Sequence, residues 1–374
     1  MSARGRRIAL SGYYGFANAG DEAVLAGLIQ SLRAAGGPEL EIDALSINPG
    51  ETAATHGVTA SHRYQVKDLM TSLRRTDLLL SGGGSLLQDV TSAHGIFYYL
   101  GVVRLAQILG KKTMFIAQGI GPLIRPRSRQ MVASVANRLN AITVRDEESL
   151  ALLREIGVRR PPMEVTADPA LLLTAKSSPR IGGQGGRGGN GGQISVSLRP
   201  WTQSAESLPE MVARACAAGA PGAGVTAVAM QPQSDFAPME QFAREWRQTS
   251  DQQAVSLPAS ADAPLPLPDL LRAIGGSQMI VGMRLHALIL AAAAGVPSAA
   301  LSYDPKVGAF MRSTGQGDAV LDVRTAGQAA LDDMIARVWR ERDVRSERLH
   351  DVLPRLRAAA MRNAETALDL IQPR

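Results

Sequence analysis

A single cysteine, Cys216, in 374 residues excludes an internal disulfide and fits a reducing compartment. It lies in an Ala-rich stretch that reads as helix, so a buried, inert thiol is expected. Aromatic residues make up only 4% of the chain. With arginines scattered along the sequence and no RNA-binding signature, this gives no nucleic-acid reading. Residues 287–301 are apolar but are broken by Gly295 and Pro297, and are too short to cross a bilayer. The residues before Ile8 are too few for the apolar core of a secretion signal. No His-Glu-x-x-His, His-x-Glu or cysteine cluster occurs, so no dedicated metal site is expected.

The net charge of +6 admits an anionic lipid surface or an acidic metabolite as partner. Arg4, Arg6 and Arg7 at one end, and Arg355, Arg357, Arg362 and Arg374 at the other, could touch a membrane. A solvated charged face is the preferred reading.

At 374 residues the chain is long for one core, and two domains are the natural expectation. Short apolar runs alternate with segments of helical spacing, the βα rhythm of a parallel sheet. The runs are 8–11, 42–46, 78–81, 113–117, 142–144 and 163–166. Between them, 21–34, 98–109, 128–139 and 147–156 read as helices. A Gly-rich tract at 182–192 cannot bury a core and reads as a flexible insertion. The pattern then restarts with strands at 194–198, 225–230, 279–281 and 297–301. Helices are expected at 209–218, 239–248, 267–274, 286–294, 331–339 and 343–370. The expected architecture is α/β, with two Rossmann-like domains facing a central cleft and a C-terminal helix crossing back onto the first. The expected boundaries are 1–176, a linker at 177–193, 194–345, and the final helix at 346–374.

Chemistry-bearing residues gather where predicted strands end, the edge at which α/β proteins bind ligands. Arg284 and His286 follow one strand and Lys306 follows the next, so two cations and an imidazole could converge on one anion. The segment from Gly12 to Glu22 joins the first strand to a helix without the G-x-G-x-x-G spacing of a dinucleotide site. Its Asn18 and Asp21 are polar groups at the cleft, and Asp21 could equally be a helix cap. Gly82, Gly83, Gly84 and Ser85, with Asp89 nearby, form a Gly-rich turn. It could open a nest of backbone donors to an anion, or simply be a tight turn under packed helices. Gln118, in Gln118-Gly119-Ile120-Gly121, repeats this openness. Arg145 leaves a strand just before the acidic turn Asp146-Glu147-Glu148. A cation there needs an anion, either its own acidic neighbours or a ligand carboxylate or phosphate. Asp168-Pro169 and the segment from Gln231 to Asp235 read as turns or as sugar-binding polar groups.

Taken in order, GYYGFANAGDEA, LLLSGGGSLLQD, FIAQGIGPL, ITVRDEESLALL, VTADPALLL, VGMRLHALILAAAAGVP and SYDPKVGAFM run from Gly12 to Met311. They resemble the polysaccharide pyruvyl transferases, most closely the bacterial branch linked to cell-wall polymers that anchor S-layer proteins. The resemblance implies a GT-B-like fold and transfer of a pyruvyl group from phosphoenolpyruvate to a sugar as a cyclic ketal. It implies no cofactor beyond that donor substrate. It also implies Arg145, His286 and Lys306 as the catalytic set, with Arg284 assisting. The acceptor it implies is a lipid-linked sugar at the cytoplasmic face of the membrane. Two other classes share the architecture: a glycosyltransferase using a nucleotide sugar, and a non-catalytic sugar- or phosphate-binding protein.

Overall fold

The computed structural model describes residues 6–89, 93–174, 192–202, 206–250, 255–256 and 264–372. The Gly-rich tract up to 191 therefore lies outside the described residues. The chain divides into two compact units: residues 1–172 with 355–374, and residues 173–354.

The first unit is built on a parallel sheet of β1 (Arg7–Tyr14), β2 (Glu41–Ser46), β3 (Thr59–His62), β4 (Leu78–Gly82), β5 (Lys112–Gln118), β6 (Ala141–Val144) and β7 (Met163–Val165). Its order is β3-β2-β1-β4-β5-β6-β7, so the winding reverses between β1 and β4. The second sheet comprises β8 (Gln193–Ser197), β9 (Gly224–Ala227), β10 (Val255–Ser256), β11 (Met279–Gly282), β12 (Ser298–Ser302) and β13 (Val320–Asp322). Its order is β10-β9-β8-β11-β12-β13, with the reversal between β8 and β11. Both are doubly wound α/β layers of Rossmann type, as the sequence rhythm predicts. The central strands are continuous apolar runs because helices cover both faces: Leu78, Leu79 and Leu80 are all fully buried, as are Met279, Ile280 and Val281.

Sequence periodicity misses the outer elements. β3, β10 and β13 are short edge strands, and the helices Pro49–His56, Val66–Arg75 and Pro305–Ser313 lack a long apolar stripe. The last helix runs from Arg342 to Asp369, and its part beyond Pro354 joins the first unit. Asn363 fixes it there. This fully buried amide accepts from the hydroxyls of Thr143 (2.7 Å) and Thr166 (2.8 Å) and donates to the Ala167 carbonyl (2.9 Å).

Cys216 is buried, and burial pushes its thiol up to about 12, as expected of an inert core residue. Most of the basic residues proposed for a membrane surface have intramolecular partners. Arg7 pairs with Glu41, Arg362 with Glu164 and Glu365, and Arg6 and Arg357 donate to carbonyls. Arg4 and Arg374 lie outside the described residues. Among the described residues no helix is long and apolar enough to cross a membrane.

Candidate active site

In the first unit the candidate residues gather at the carboxyl ends of β1, β4, β5, β6 and β7. Asn18, not Asp21, caps the helix Ala19–Gly36, its side chain accepting from the Gly20 N–H at 3.0 Å. Asp21 lies one turn in and is nine-tenths buried, its Oδ1 against Gly84. Its negative charge reaches the neighbouring phenols: Tyr13 is raised first by burial and then by Asp21, and the fully buried Tyr14 likewise. Asp21 is therefore a carboxylate beside half-buried aromatic faces. Tyr13 and Phe16 stack at 4.0 Å there.

The glycine turn is bound by packing. Gly82 has φ of +150°, and a Cβ there would sit 2.1 Å from the Ile116 carbonyl oxygen. A Cβ on Gly83 would meet Val24 at 2.4 Å. The Gly83 N–H donates to the Ile116 carbonyl, so it is not a ligand donor, and the Gly84 carbonyl accepts from Gly119 N and from Gln118 Nε2. Gln118 is wholly buried and braces this turn, while its Oε1 has no hydrogen-bond partner among the described residues.

Asp89 holds the backbone that leads into the helix Pro126–Ala136, whose N-cap position is Arg125. Its two oxygens accept the N–H groups of Ile124 (2.8 Å) and Arg125 (2.9 Å). Burial raises its carboxyl, but those two N–H groups and the Ser128 hydroxyl outweigh it and hold the group below the usual carboxylate range. Both oxygens are thus engaged, which argues against a role in removing a substrate proton.

Arg145 follows β6 directly and is 5% exposed. Among the described residues its charge is met chiefly by Asp168 rather than by Asp146. Nη1 donates to Asp168 at 2.9 Å, Nη2 donates to the Ser85 hydroxyl at 2.7 Å, and Asp146 lies 3.9 Å from Nε. Asp146 instead caps the following helix through the Ser149 N–H. Asp168 has no charge pattern in sequence to link it to Arg145. The link arises because β6 and β7 are neighbours, with Val144 opposite Val165.

In the second unit, Arg284 occupies the N-cap position of the helix Leu285–Ala293 without a side-chain cap bond, with His286 in its first turn and the imidazole Nε2 shielded from solvent. Lys306 opens the next helix, whose cap Asp304 accepts the Lys306 backbone N–H at 2.9 Å. The strands before them, β11 and β12, are hydrogen-bonded neighbours with Gly282 opposite Ala300. Arg284, His286 and Lys306 therefore share the carboxyl edge of one sheet, as their positions after predicted strands require. Arg284 is held by the buried Asp235, whose Oδ2 accepts from Nε at 3.1 Å and whose Oδ1 meets Nη2, while the Ser234 hydroxyl accepts from Nη2 at 2.8 Å. The segment around Asp235 reads in sequence as a turn or as sugar-binding polar groups, and its role as the arginine's anchor is missed. Arg199 and Trp201, after β8, also lie on this edge and are missed for the same reason: they stand in no recognisable motif.

Among the described residues no group of three or more His, Cys, Asp or Glu could hold a metal ion.

These geometries can be set beside known proteins. Several solved structures share the fold at 11–12% identity. The UDP-GlcNAc 2-epimerase of Neisseria meningitidis bound to UDP-GlcNAc matches with TM-score 0.62 at 11% identity, covering 97% of this chain and 100% of that one. The S. aureus MnaA–UDP structure matches at 0.64 and 11%, covering 99% and 98%. Anabaena HepE in complex with UDP-glucose matches at 0.61 and 12%, covering 97% and 99%. At such identities the likeness speaks for the GT-B fold alone. No curated protein matches the chain. The family model for polysaccharide pyruvyl transferase matches residues 18–305, a span that includes Arg145, Arg284 and His286 and ends one residue before Lys306. The chain belongs to the polysaccharide pyruvyl transferase family.

Proposed function

We propose that the protein transfers the pyruvyl group of phosphoenolpyruvate to a sugar of a polysaccharide precursor as a cyclic ketal, releasing phosphate. The observation that carries this reading is the clustering of Arg284, His286 and Lys306 at the carboxyl edge of adjacent strands β11 and β12, largely inside the family match. The donor carries a phosphate and a carboxylate, and cations at a sheet edge hold such a group better than neutral donors would. Lys306, opening a helix, is suited to the phosphate because the helix start adds its own positive potential. Arg145, in the first unit, is carried over from the family pattern as an anion-binding residue.

His286 acts as general acid and base. Protonation of the donor's methylene carbon makes C2 electrophilic, and one sugar hydroxyl attacks it. The phosphate leaves with the C2–O bond pair, and a second hydroxyl closes the ketal as its proton passes to a base. Asp21 is the carboxylate assigned to that hydroxyl, since Asp89 is committed to a helix start. The acceptor assigned is a lipid-linked amino sugar, N-acetylmannosamine first, ketalated at positions 4 and 6 on the cytoplasmic side of the membrane.

The test is phosphate release from phosphoenolpyruvate by the full chain with a panel of lipid-linked sugars. His286→Ala should lower the rate by roughly 10²–10⁴-fold with an unchanged melting curve. A His286→Ala protein of near-normal rate would remove His286 from this role. Transfer of a glycosyl group from a nucleotide sugar, with no phosphate released from phosphoenolpyruvate, would replace the whole reading.

A further inference from the structure

Two buried donors on the segment after β8 have no assigned work. Among the described residues, neither Arg199 Nε nor Trp201 Nε1 has a hydrogen-bond partner, and no acid pairs with the Arg199 guanidinium. A buried N–H without an acceptor is costly, and two of them on residues that both approach Tyr303 fit an acceptor that arrives with a ligand. Their place in the fold agrees. β8 and β11 flank the point where the second sheet reverses its winding, where open α/β sheets bind ligands. Ser197 lies opposite Gly282, and Gly282 opposite Ala300. Arg199 and Arg284 are thus each two residues past a matched pair, beyond the carboxyl ends of neighbouring strands. Tyr303 is three residues past its own matched position.

The guanidinium of Arg199 lies 4.5 Å from the centre of the Tyr303 ring, and the Trp201 ring lies 6.5 Å from the same tyrosine. Stacking of this kind fixes the plane of the arginine and leaves its edge for a partner. Arg284 differs: its charge is already matched by Asp235.

Resting on the reading that this edge takes phosphoenolpyruvate, we propose that Arg199, oriented by Tyr303 and joined by the Trp201 indole N–H, binds the donor's carboxylate. A planar fork of N–H groups fits a planar carboxylate through two parallel hydrogen bonds. Lys306 is left for the phosphate. The pair would then select a donor bearing a carboxylate over a simple phosphate ester.

Titration calorimetry of the full chain with phosphoenolpyruvate and, separately, inorganic phosphate tests this in the wild type, Arg199→Ala, Arg199→Lys and Trp201→Phe. Arg199→Ala should bind phosphoenolpyruvate about 10–100-fold more weakly while its affinity for inorganic phosphate is unchanged. Arg199→Lys should recover only part of the loss, since an ammonium cannot form the paired contact. Trp201→Phe keeps the ring and loses the donor, so it should weaken phosphoenolpyruvate alone, and it serves as the readout if Arg199→Ala does not fold. Wild-type affinity for phosphoenolpyruvate in both Arg199→Ala and Trp201→Phe, or an equal loss for both ligands, would overturn the carboxylate assignment and leave the donor reading standing. A wild type that takes up no phosphoenolpyruvate would instead bring down the donor reading and this inference together.

Discussion

Asp235, wholly buried, grips Arg284 through both carboxylate oxygens, with Nε 3.1 Å from Oδ2 and Nη2 on Oδ1. The same device recurs in the first unit, where Asp168 holds Nη1 of Arg145 at 2.9 Å. In each case the acid follows a different strand from the arginine, Asp168 shortly after β7 and Asp235 in the first turn of the helix after β9, so the fold sets the pair. A guanidinium fixed in this way loses little freedom when a ligand arrives, but part of its charge is already answered.

That relationship has a measurable consequence. Removing the acid alone leaves a cation without its partner, at a cost of about 3–5 kcal/mol for a fully buried pair. Asp235→Ala should approach the lower end, because Arg284 is 17% exposed. The double variant Asp235→Ala/Arg284→Ala should be less destabilised than the two single losses summed, by about 1 kcal/mol or more. Denaturant melts of the four proteins give this directly, and additive losses would mean that the two side chains are not coupled.

Asn363 joins the last helix to the strand ends that carry Arg145 and Asp168, through Thr143, Thr166 and Ala167. Asn363→Ala strands the Thr143 hydroxyl proton and the Ala167 carbonyl, each costing roughly 1–3 kcal/mol if no water replaces the amide, while the Thr166 hydroxyl can still donate to the Val144 carbonyl at 3.2 Å. A loss of at least about 2 kcal/mol is expected in thermal or chemical melts. A loss below the usual surface-variant range of about 0.5 kcal/mol would show that the amide network does not hold the helix.

The Asp89 carboxyl is held below its ordinary value by the N–H groups of Ile124 and Arg125, against the opposing effect of burial. A lowered folded-state pKa contributes stability above the unfolded value of about 3.9, and that contribution is lost as pH falls through the folded value. Asp89→Asn should be less stable near neutrality by about 1–3 kcal/mol, since one N–H loses its acceptor. The deficit should shrink as pH falls from about 4, where the unfolded wild type protonates, through the lower folded value, while the variant has nothing to titrate. Melting curves of both proteins against pH check this. A deficit that stays constant down to strongly acid pH would exclude the Asp89 carboxylate as an acid-sensitive element.

The strands β1, β4, β5, β8 and β11 were legible in sequence because each is a run of buried apolar residues flanked by glycine or polar punctuation. The edge strands β3, β10 and β13 were not, as their residues are at most partly buried and carry no such pattern. Arg145, Arg284, His286 and Lys306 were visible as candidates because chemistry at strand ends follows from the βα rhythm. Their partners were not. Asp168 lies 23 residues from Arg145 and Asp235 lies 49 from Arg284, distances closed only by strand order. The glycines at 82–84 read in sequence either as a nest of donors or as a tight turn under packed helices; sheet packing takes up the Gly83 N–H and fills the space above Gly82 and Gly83, as the second reading requires. Helix capping was also misassigned by three residues in the first loop, Asn18 taking the place considered for Asp21, since several side chains there are chemically able to cap.

The account turns on phosphoenolpyruvate being the donor, and titration of the purified full chain with phosphoenolpyruvate, in the presence and absence of UDP-N-acetylglucosamine, addresses that most directly. It predicts saturable one-to-one binding of phosphoenolpyruvate that the nucleotide sugar does not displace. Tight uptake of the nucleotide sugar with no heat from phosphoenolpyruvate would contradict it.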